Sequence, residues 1–276
     1  MSIWFIEDET PGYKLQWKVN RILYQKQTKY QYLEVIELED FGRCLILDGA
    51  IQITEKDEFI YNEMISHIPM VTHPNPRKVL IIGGGDGGAA REVLKYKEVE
   101  EVQLIEIDEE VINAIREFFP QLAGVFDDRR FKLIVDDGIE FVKSKQDEYD
   151  IIIVDSSDPV GPAVNLFEYP FYNDCLKALK QDGILNIQSE SPFFNQDIIQ
   201  KVTKILKGLF KHVDTYLACI PTYPSGLWSF TMASKEYRYS DAGLERANAV
   251  DTRYFTPDIF RSCFTLPKFV KDILCE

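Results

Sequence analysis

The chain has 276 residues, is 45% apolar and carries 45 acidic against 31 basic side chains, a net charge of −14. That is enough for one large domain, or a large one with a small partner, around a substantial core. The charge opposes nucleic acid and anionic membranes, which both need basic patches, and it favours small cations. An acidic surface that only keeps the protein soluble explains the same number, so the placement of the acids has to decide. The five cysteines, Cys44, Cys175, Cys219, Cys263 and Cys275, are scattered and form no CxxC pair. This argues against a disulfide framework or a zinc site and for a reducing cytoplasm. His67, His73 and His212 lack metal-ligand spacing, so no metal is expected. The first nine residues turn acidic too early for a signal peptide, and no apolar run reaches the roughly 20 residues of a membrane span.

Residues 1–72 read as a small β-stranded domain. Tyr32–Leu38 alternates and is rich in β-formers. Cys44–Leu47 and Ala50–Thr54 flank Asp48-Gly49, a strong two-residue hairpin signal. Glu58–Ile68 reads as a helix leading out of this sheet, and Pro74-Asn75-Pro76 marks the boundary to a second domain, 73–276. There the pattern changes. Val79–Ile82, Val102–Ile105, Phe131–Val135 and Asp150–Val154 are short apolar runs. They alternate with helical segments at Ala89–Tyr96, Val111–Phe118 and Ile139–Lys145. Continuous apolar strands separated by amphipathic helices specify a parallel sheet buried on both faces. Ile184–Gln188 adds a fifth strand, Asn195–Leu209 a helix, and Val213–Cys219 and Trp228–Ala233 the last strands. Thr256 with Pro257 at the first helical position starts a further helix. The expected fold is α/β, a doubly wound Rossmann-like domain preceded by a small antiparallel β-domain.

In such a sheet ligands bind beyond the carboxyl ends of the strands, and four consecutive strands here end in an acid or in glycine plus an acid. Gly83-Gly84-Gly85-Asp86-Gly87-Gly88 matches the G-x-G-x-x-G pattern, but with Asp86 inside it. A carboxylate there opposes a pyrophosphate and favours a ligand with a cation; the plainer alternative is that Asp86 points away and caps the helix. Glu106, 18 residues past Gly88, can accept hydrogen bonds from two ribose hydroxyls, or simply face solvent. Asp137 can hold an adenine amino group while Gly138 lets the ring approach, or the pair is only a turn. Together these three describe an adenosyl pocket without a pyrophosphate, the pattern of S-adenosylmethionine-type ligands. Asp155-Ser156-Ser157-Asp158-Pro159-Val160-Gly161-Pro162 puts two carboxylates on one loop, with a proline-rich turn as the alternative. Ile220–Gly226 is a loop stiffened by Pro221 and Pro224 that presents Tyr223 to a ligand or merely turns the chain.

With these residues in place the chain resembles the spermidine synthases, the main branch of the polyamine aminopropyltransferases, over nearly its whole length. The segments that carry the resemblance are 47–52, 57–64, 74–88, 155–162 and 220–226, and the Gly-Gly-Gly-Asp-Gly-Gly and Asp-Ser-Ser-Asp-Pro pair is highly specific to that family. The resemblance implies a methyltransferase-like Rossmann domain, a homodimer or homotetramer assembled partly through the β-domain, and no metal or bound cofactor. It implies that Gln31 contacts the nucleoside, Glu106 the ribose, and Asp137 with Gly138 the adenine, with Pro162 against the nucleoside. It further implies that Asp86 binds the amine of the aminopropyl group, Asp155 accepts the proton, and Asp158, Tyr61 and Tyr223 position putrescine. One departure is Asn62, where many members carry histidine or glutamine; its shorter side chain is expected to reach the diamine directly or through water.

The expected reaction is therefore transfer of an aminopropyl group from decarboxylated S-adenosylmethionine, a co-substrate, to putrescine. The rival readings are a diamine N-methyltransferase using S-adenosylmethionine and a non-catalytic polyamine-binding protein; a nicotinamide dehydrogenase conflicts with the acid in the glycine loop. Ser156–Tyr172, rich in proline and glycine, is read as a lid that orders on binding.

Overall fold

The computed structural model describes residues 2–157 and 161–275. Ile3–Thr10 (β1), Tyr13–Gln27 (β2), Tyr32–Leu38 (β3), Gly42–Leu47 (β4) and Ala50–Thr54 (β5) form an antiparallel sheet in chain order. The β4–β5 turn is Asp48-Gly49, with φ of +48° and +85°; these are the two positive angles a two-residue hairpin needs. Alternation along β3 sends its apolar side chains to two faces. Leu33 and Val35 join Leu45 and Ile53 against the helix Glu109–Phe118, while Ile36 and Leu38 pack with Cys44, Ile46 and Ile51. One face of the small sheet is thus glued to the larger domain, and this holds the β-strands over the site described below.

The helices are Glu58–Thr72 (α1), Gly88–Val93 (α2), Glu109–Phe118 (α3), Pro120–Ala123 (α4), Gly138–Lys143 (α5), Tyr169–Ala178 (α6), Gln196–Leu209 (α7), Pro257–Cys263 (α8) and Lys268–Ile273 (α9). The second sheet comprises Lys78–Gly83 (β6), Glu101–Glu106 (β7), Phe131–Val135 (β8), Tyr149–Asp155 (β9), Leu179–Gln188 (β10), His212–Cys219 (β11) and Leu227–Ser234 (β12). Their spatial order is β11-β12-β10-β9-β6-β7-β8, with β12 antiparallel to both its neighbours. Val79–Ile82 and Tyr149–Val154 are buried because helices cover both faces. The chain runs outward from β6 to β7 and β8, then returns to the other side with β9 and β10. The strand order therefore reverses between β6 and β9, where the carboxyl ends leave a crevice. Gly83 and Asp155 face each other across that gap in register.

Several elements depart from the sequence expectation. Helix α1 continues through Pro69 to Thr72, four residues past its expected end. Proline at 69 removes the N–H that would bond Ile65 O. Asn186 Nδ2 donates to that carbonyl instead, at 2.7 Å. Helix α1 packs on α2, β9 and β10 rather than on the small sheet, which ends at Thr54. Helix α2 stops at Val93 rather than Tyr96: Lys95 N and Tyr96 N bond carbonyls only three residues back, and Arg130 donates to the Leu94 and Tyr96 carbonyls beyond the helix end. Helix α6 begins inside the segment read as a lid. Phe167, Phe171 and Tyr172 are packed in the core there, so the 167–172 end of that segment is anchored. Thr256 caps α8 as expected, its Oγ1 accepting from Ile259 N at 3.1 Å.

Candidate active site

A cavity of about 670 Å³ opens at the carboxyl ends of β6, β7, β8 and β9 and is roofed by the small sheet. Gln31, Tyr61, Asp86, Glu106, Asp137, Gly138, Asp155 and Tyr223 all line it. No lysine, arginine or histidine does so among the described residues. Asp158 lies outside the described residues, as does the side chain of Pro162.

Strand β6 ends at the glycine loop. A side chain at Gly84, whose φ is +63°, would bring its Cβ within 2.7 Å of Asp155 Oδ2, so glycine there lets the two strand ends close on each other. Gly84 N donates to Asp155 O at 2.9 Å, continuing the β6–β9 pairing for one more residue. The side chain of Asp155 is divided in its use. Oδ1 accepts from Tyr61 Oη at 2.5 Å, and Oδ2 is buried without a partner. Burial pushes the Asp155 carboxyl up to about 6, against the opposing pull of the tyrosine bond.

Asp86 combines both readings of the sequence. Its Oδ1 accepts the N–H of Gly88 at 2.5 Å, securing the start of α2, and the residue still forms part of the cavity wall. Burial first, and the Asp155 charge second, push it up to about 8, with the Gly88 N–H and Arg91 acting the other way. Two carboxylates buried together cannot both ionise cheaply. On its own the pair therefore holds a proton near neutrality that a cationic ligand would displace.

At the end of β7, Glu106 is pushed up to about 7, chiefly by burial. It accepts from Asp108 N at 2.9 Å and lies against Gly85. Asp108 was not singled out in the sequence, yet it organises this wall. Its Oδ1 caps α3 through Glu110 N, and its Oδ2 accepts from Gln31 Nε2 at 3.0 Å and Thr28 Oγ1 at 2.7 Å. The signal available in sequence was its N-cap position before Glu109. Asp137 uses Oδ1 to cap α5 through Ile139 N at 2.8 Å. The tight approach at Gly138 is to Ile82, whose Cγ2 a Cβ would meet at 2.4 Å, so this glycine serves the packing of α5 on β6.

On the opposite side, Tyr61 and Tyr223 stand with ring centroids 5.7 Å apart, and Trp228 lies edge-on to Tyr223 at 4.7 Å. Tyr223 Oη donates to Gln52 O at 2.9 Å. Asn62 is not brought to the cavity, contrary to the expectation that it reaches a diamine. It is fully buried, donates to Glu58 at 2.8 Å and presses on Gly88, where a Cβ would meet its Nδ2 at 2.0 Å. Adjacent positions on a helix point in different directions: Tyr61 faces the crevice and its neighbour faces α2. Sequence reasoning also missed Glu7 and Glu190, which line the same cavity from β1 and from beyond β10. Gln188 ties Glu190 in place, donating to it at 2.8 Å and to Ser156 O at 3.2 Å. Neither acid lies in a segment with a motif. Among the described residues one group has spacing suited to a metal, His73, Asp150 and Asp182, at the other end of the strands. There Asp150 already accepts from Lys180 Nζ and from the N–H groups of Arg77 and Lys78.

An adenosyl-sized cleft walled by carboxylates and aromatic rings suits a ligand that joins a nucleoside to a cation and disfavours a pyrophosphate. Comparison with known proteins agrees. Residues 58–241 match the family described as "Spermine/spermidine synthase domain", and residues 3–55 match "Spermidine synthase tetramerisation domain". A protein named polyamine aminopropyltransferase from Caldicellulosiruptor saccharolyticus is 48% identical over 274 residues, covering 99% of each chain. One of the same name from Thermoanaerobacter sp. (strain X514) is 46% identical over 276 residues and 100% of each chain. A crystal structure of a spermidine synthase with the transition-state analogue AdoDATO superposes with a TM-score of 0.97 at 40% identity, covering 99% of this chain and 95% of that one. The spermidine synthase of Thermotoga maritima superposes at 0.94 with 39% identity, covering 99% of this chain and 94% of that one. The chain belongs to the spermine/spermidine synthase family.

Proposed function

We propose that the protein makes spermidine and methylthioadenosine from putrescine and decarboxylated S-adenosylmethionine by one direct displacement, with Asp155 accepting the proton. The observation that carries this reading is Asp155 itself. One oxygen is fixed by Tyr61, and the other is buried without a partner in a cavity whose described lining holds no basic side chain. The nucleoside lies along Gln31, Glu106, Asp137 and Gly138, with Pro162 beside it. The aminopropyl ammonium meets Asp86. Putrescine enters between Tyr61 and Tyr223, with Asp158 holding its distal ammonium.

The putrescine nitrogen attacks the carbon next to the sulfonium. A C–N bond forms, the C–S bond breaks with its electrons going to sulfur, and the proton from nitrogen passes to Asp155. The sulfonium leaves unaided, so the reading needs no Lewis acid or resident cofactor. The difficulty lies in the nucleophile. An amine of ordinary pKa near 10.4 needs about 4 kcal/mol to free its lone pair at pH 7.4. Burial supports the transfer from both ends, raising the base and disfavouring the charged amine. Tyr61 limits the first effect, because its bond stabilises the ionised Asp155.

Asp155→Asn tests the assignment. General-base loss predicts a fall in kcat of about 10²–10⁴-fold, with the dissociation constant of methylthioadenosine nearly unchanged by calorimetry. Near-normal turnover in that variant would sink the assignment, and methyl transfer from S-adenosylmethionine to a diamine would replace the reaction class. The reading extends to assembly as a homodimer or homotetramer through the β-domain. Trp4, Ile6 and Ile22 are about half exposed on β1 and β2, and the matched family for residues 3–55 is named for tetramerisation. The reading keeps a small β-stranded domain, 1–72, before a larger one, 73–276, and the packing of α1 on α2, β9 and β10 supports drawing α1 into the larger one. No helix among the described residues is long and apolar enough to cross a membrane.

A further inference from the structure

The geometry points to Asp57 as a positioning residue for the acceptor amine, one that holds Tyr61 and Tyr223 in place without touching the ligand. This rests on the reading above that those two tyrosines form the acceptor wall. Asp57 occupies the N-cap position of α1, yet its side chain makes no cap. It turns instead to the junction of three segments and is buried there. Its Oδ1 accepts from Thr54 Oγ1 at 2.6 Å. Its Oδ2 accepts from Thr222 N at 3.0 Å and Thr222 Oγ1 at 2.7 Å, across 165 residues of chain. Each of the three segments supplies part of the amine side of the cavity. Strand β5 carries Gln52, whose carbonyl takes the Tyr223 hydroxyl. Helix α1 carries Tyr61 one turn beyond Asp57, and its hydroxyl sets Asp155. The 220–226 loop carries Tyr223 directly after Thr222.

A buried carboxylate with three donors is an expensive arrangement for a plain helix start, where serine or threonine caps as well. Its use here is geometric. Without it the loop and the start of α1 lose their common anchor, and Tyr61 and Tyr223 are free to separate. The nucleoside wall of Glu106, Asp108 and Gln31 shares no hydrogen bond with this junction.

Asparagine can replace Asp57 at modest loss. Its oxygen keeps both Thr222 donors, and its amide faces Thr54, whose hydroxyl turns from donor to acceptor. The experiment compares Asp57→Ala, Asp57→Asn and Thr222→Val, with Tyr61→Phe and Tyr223→Phe as reporters of the acceptor wall. Steady-state kinetics give KM and kcat for putrescine, and calorimetry gives the dissociation constant of methylthioadenosine. Asp57→Ala is expected to lower kcat/KM for putrescine by about 10²-fold, as a misplaced site does, and to leave methylthioadenosine affinity within about threefold. Asp57→Asn should recover most of the loss. Thr222→Val should fall between, since the backbone donor remains; if Asp57→Ala does not fold, these two variants carry the test. If both phenylalanine variants leave kcat/KM for putrescine unchanged, the acceptor-wall reading itself fails. If they lower it while Asp57→Ala and Thr222→Val do not, only the present inference fails. Equal losses of amine and nucleoside binding would show Asp57 merely holding the fold and would overturn it as well.

Discussion

Replacing Asp86 by asparagine removes the charge that, in the proposed reading, meets the donor's aminopropyl ammonium, while keeping an oxygen for the Gly88 N–H. A contact of 4 Å between unit charges in a protein site contributes about 4 kcal/mol. At pH 7, before a ligand binds, Asp86 is mostly protonated, since burial and Asp155 push it up to about 8. Ionising it one unit below that value costs about 1.4 kcal/mol. The net contribution to donor binding is then about 2.5 kcal/mol, or somewhat under 10²-fold. S-adenosylmethionine adds a carboxylate beside the same ammonium, and the two charges nearly cancel at Asp86, so it gains little of this. Calorimetry on both nucleosides should show Asp86→Asn closing most of that gap by weakening the decarboxylated donor. The pH profile carries the sign. Affinity of the native protein for the decarboxylated donor should rise with pH from about 6 to about 8, because the ligand binds the ionised carboxylate and displaces its proton. The asparagine variant should lose this slope. An unchanged gap between the two nucleosides, or a slope that survives the substitution, would refute the role given to Asp86.

Two further outcomes follow from the same geometry. Tyr61→Phe removes the bond that holds Asp155 down, so the acidic limb of the kcat/KM–pH profile should move to higher pH; a limb that stays or moves lower contradicts the direction. Gly84→Ala forces a left-handed backbone position to accept a Cβ 2.7 Å from Asp155 Oδ2. It should lower kcat by at least an order of magnitude while the far-UV spectrum is retained, and full activity in a folded variant would show that the strand ends need not lie so close.

Much of the site is legible in the chain because its signals are local. A glycine loop after an apolar strand, and acids at strand ends, are consequences of backbone chemistry within a few residues, and these alone single out Asp86, Glu106, Asp137 and Asp155. The Asp48-Gly49 hairpin and the Thr256-Pro257 helix start are legible for the same reason. Tertiary structure alone decided what depends on residues far apart. It turned Asn62 away from the cavity toward Gly88, because adjacent helical positions face different neighbours. It carried α1 past Pro69 by supplying Asn186 from 121 residues beyond Ile65. It brought Glu7 and Glu190 to the wall, although neither lies in a motif. It also set the acidities. Periodicity identifies a carboxylate at a strand end, but only burial raises Asp155 to about 6, and burial beside that second carboxylate raises Asp86 to about 8.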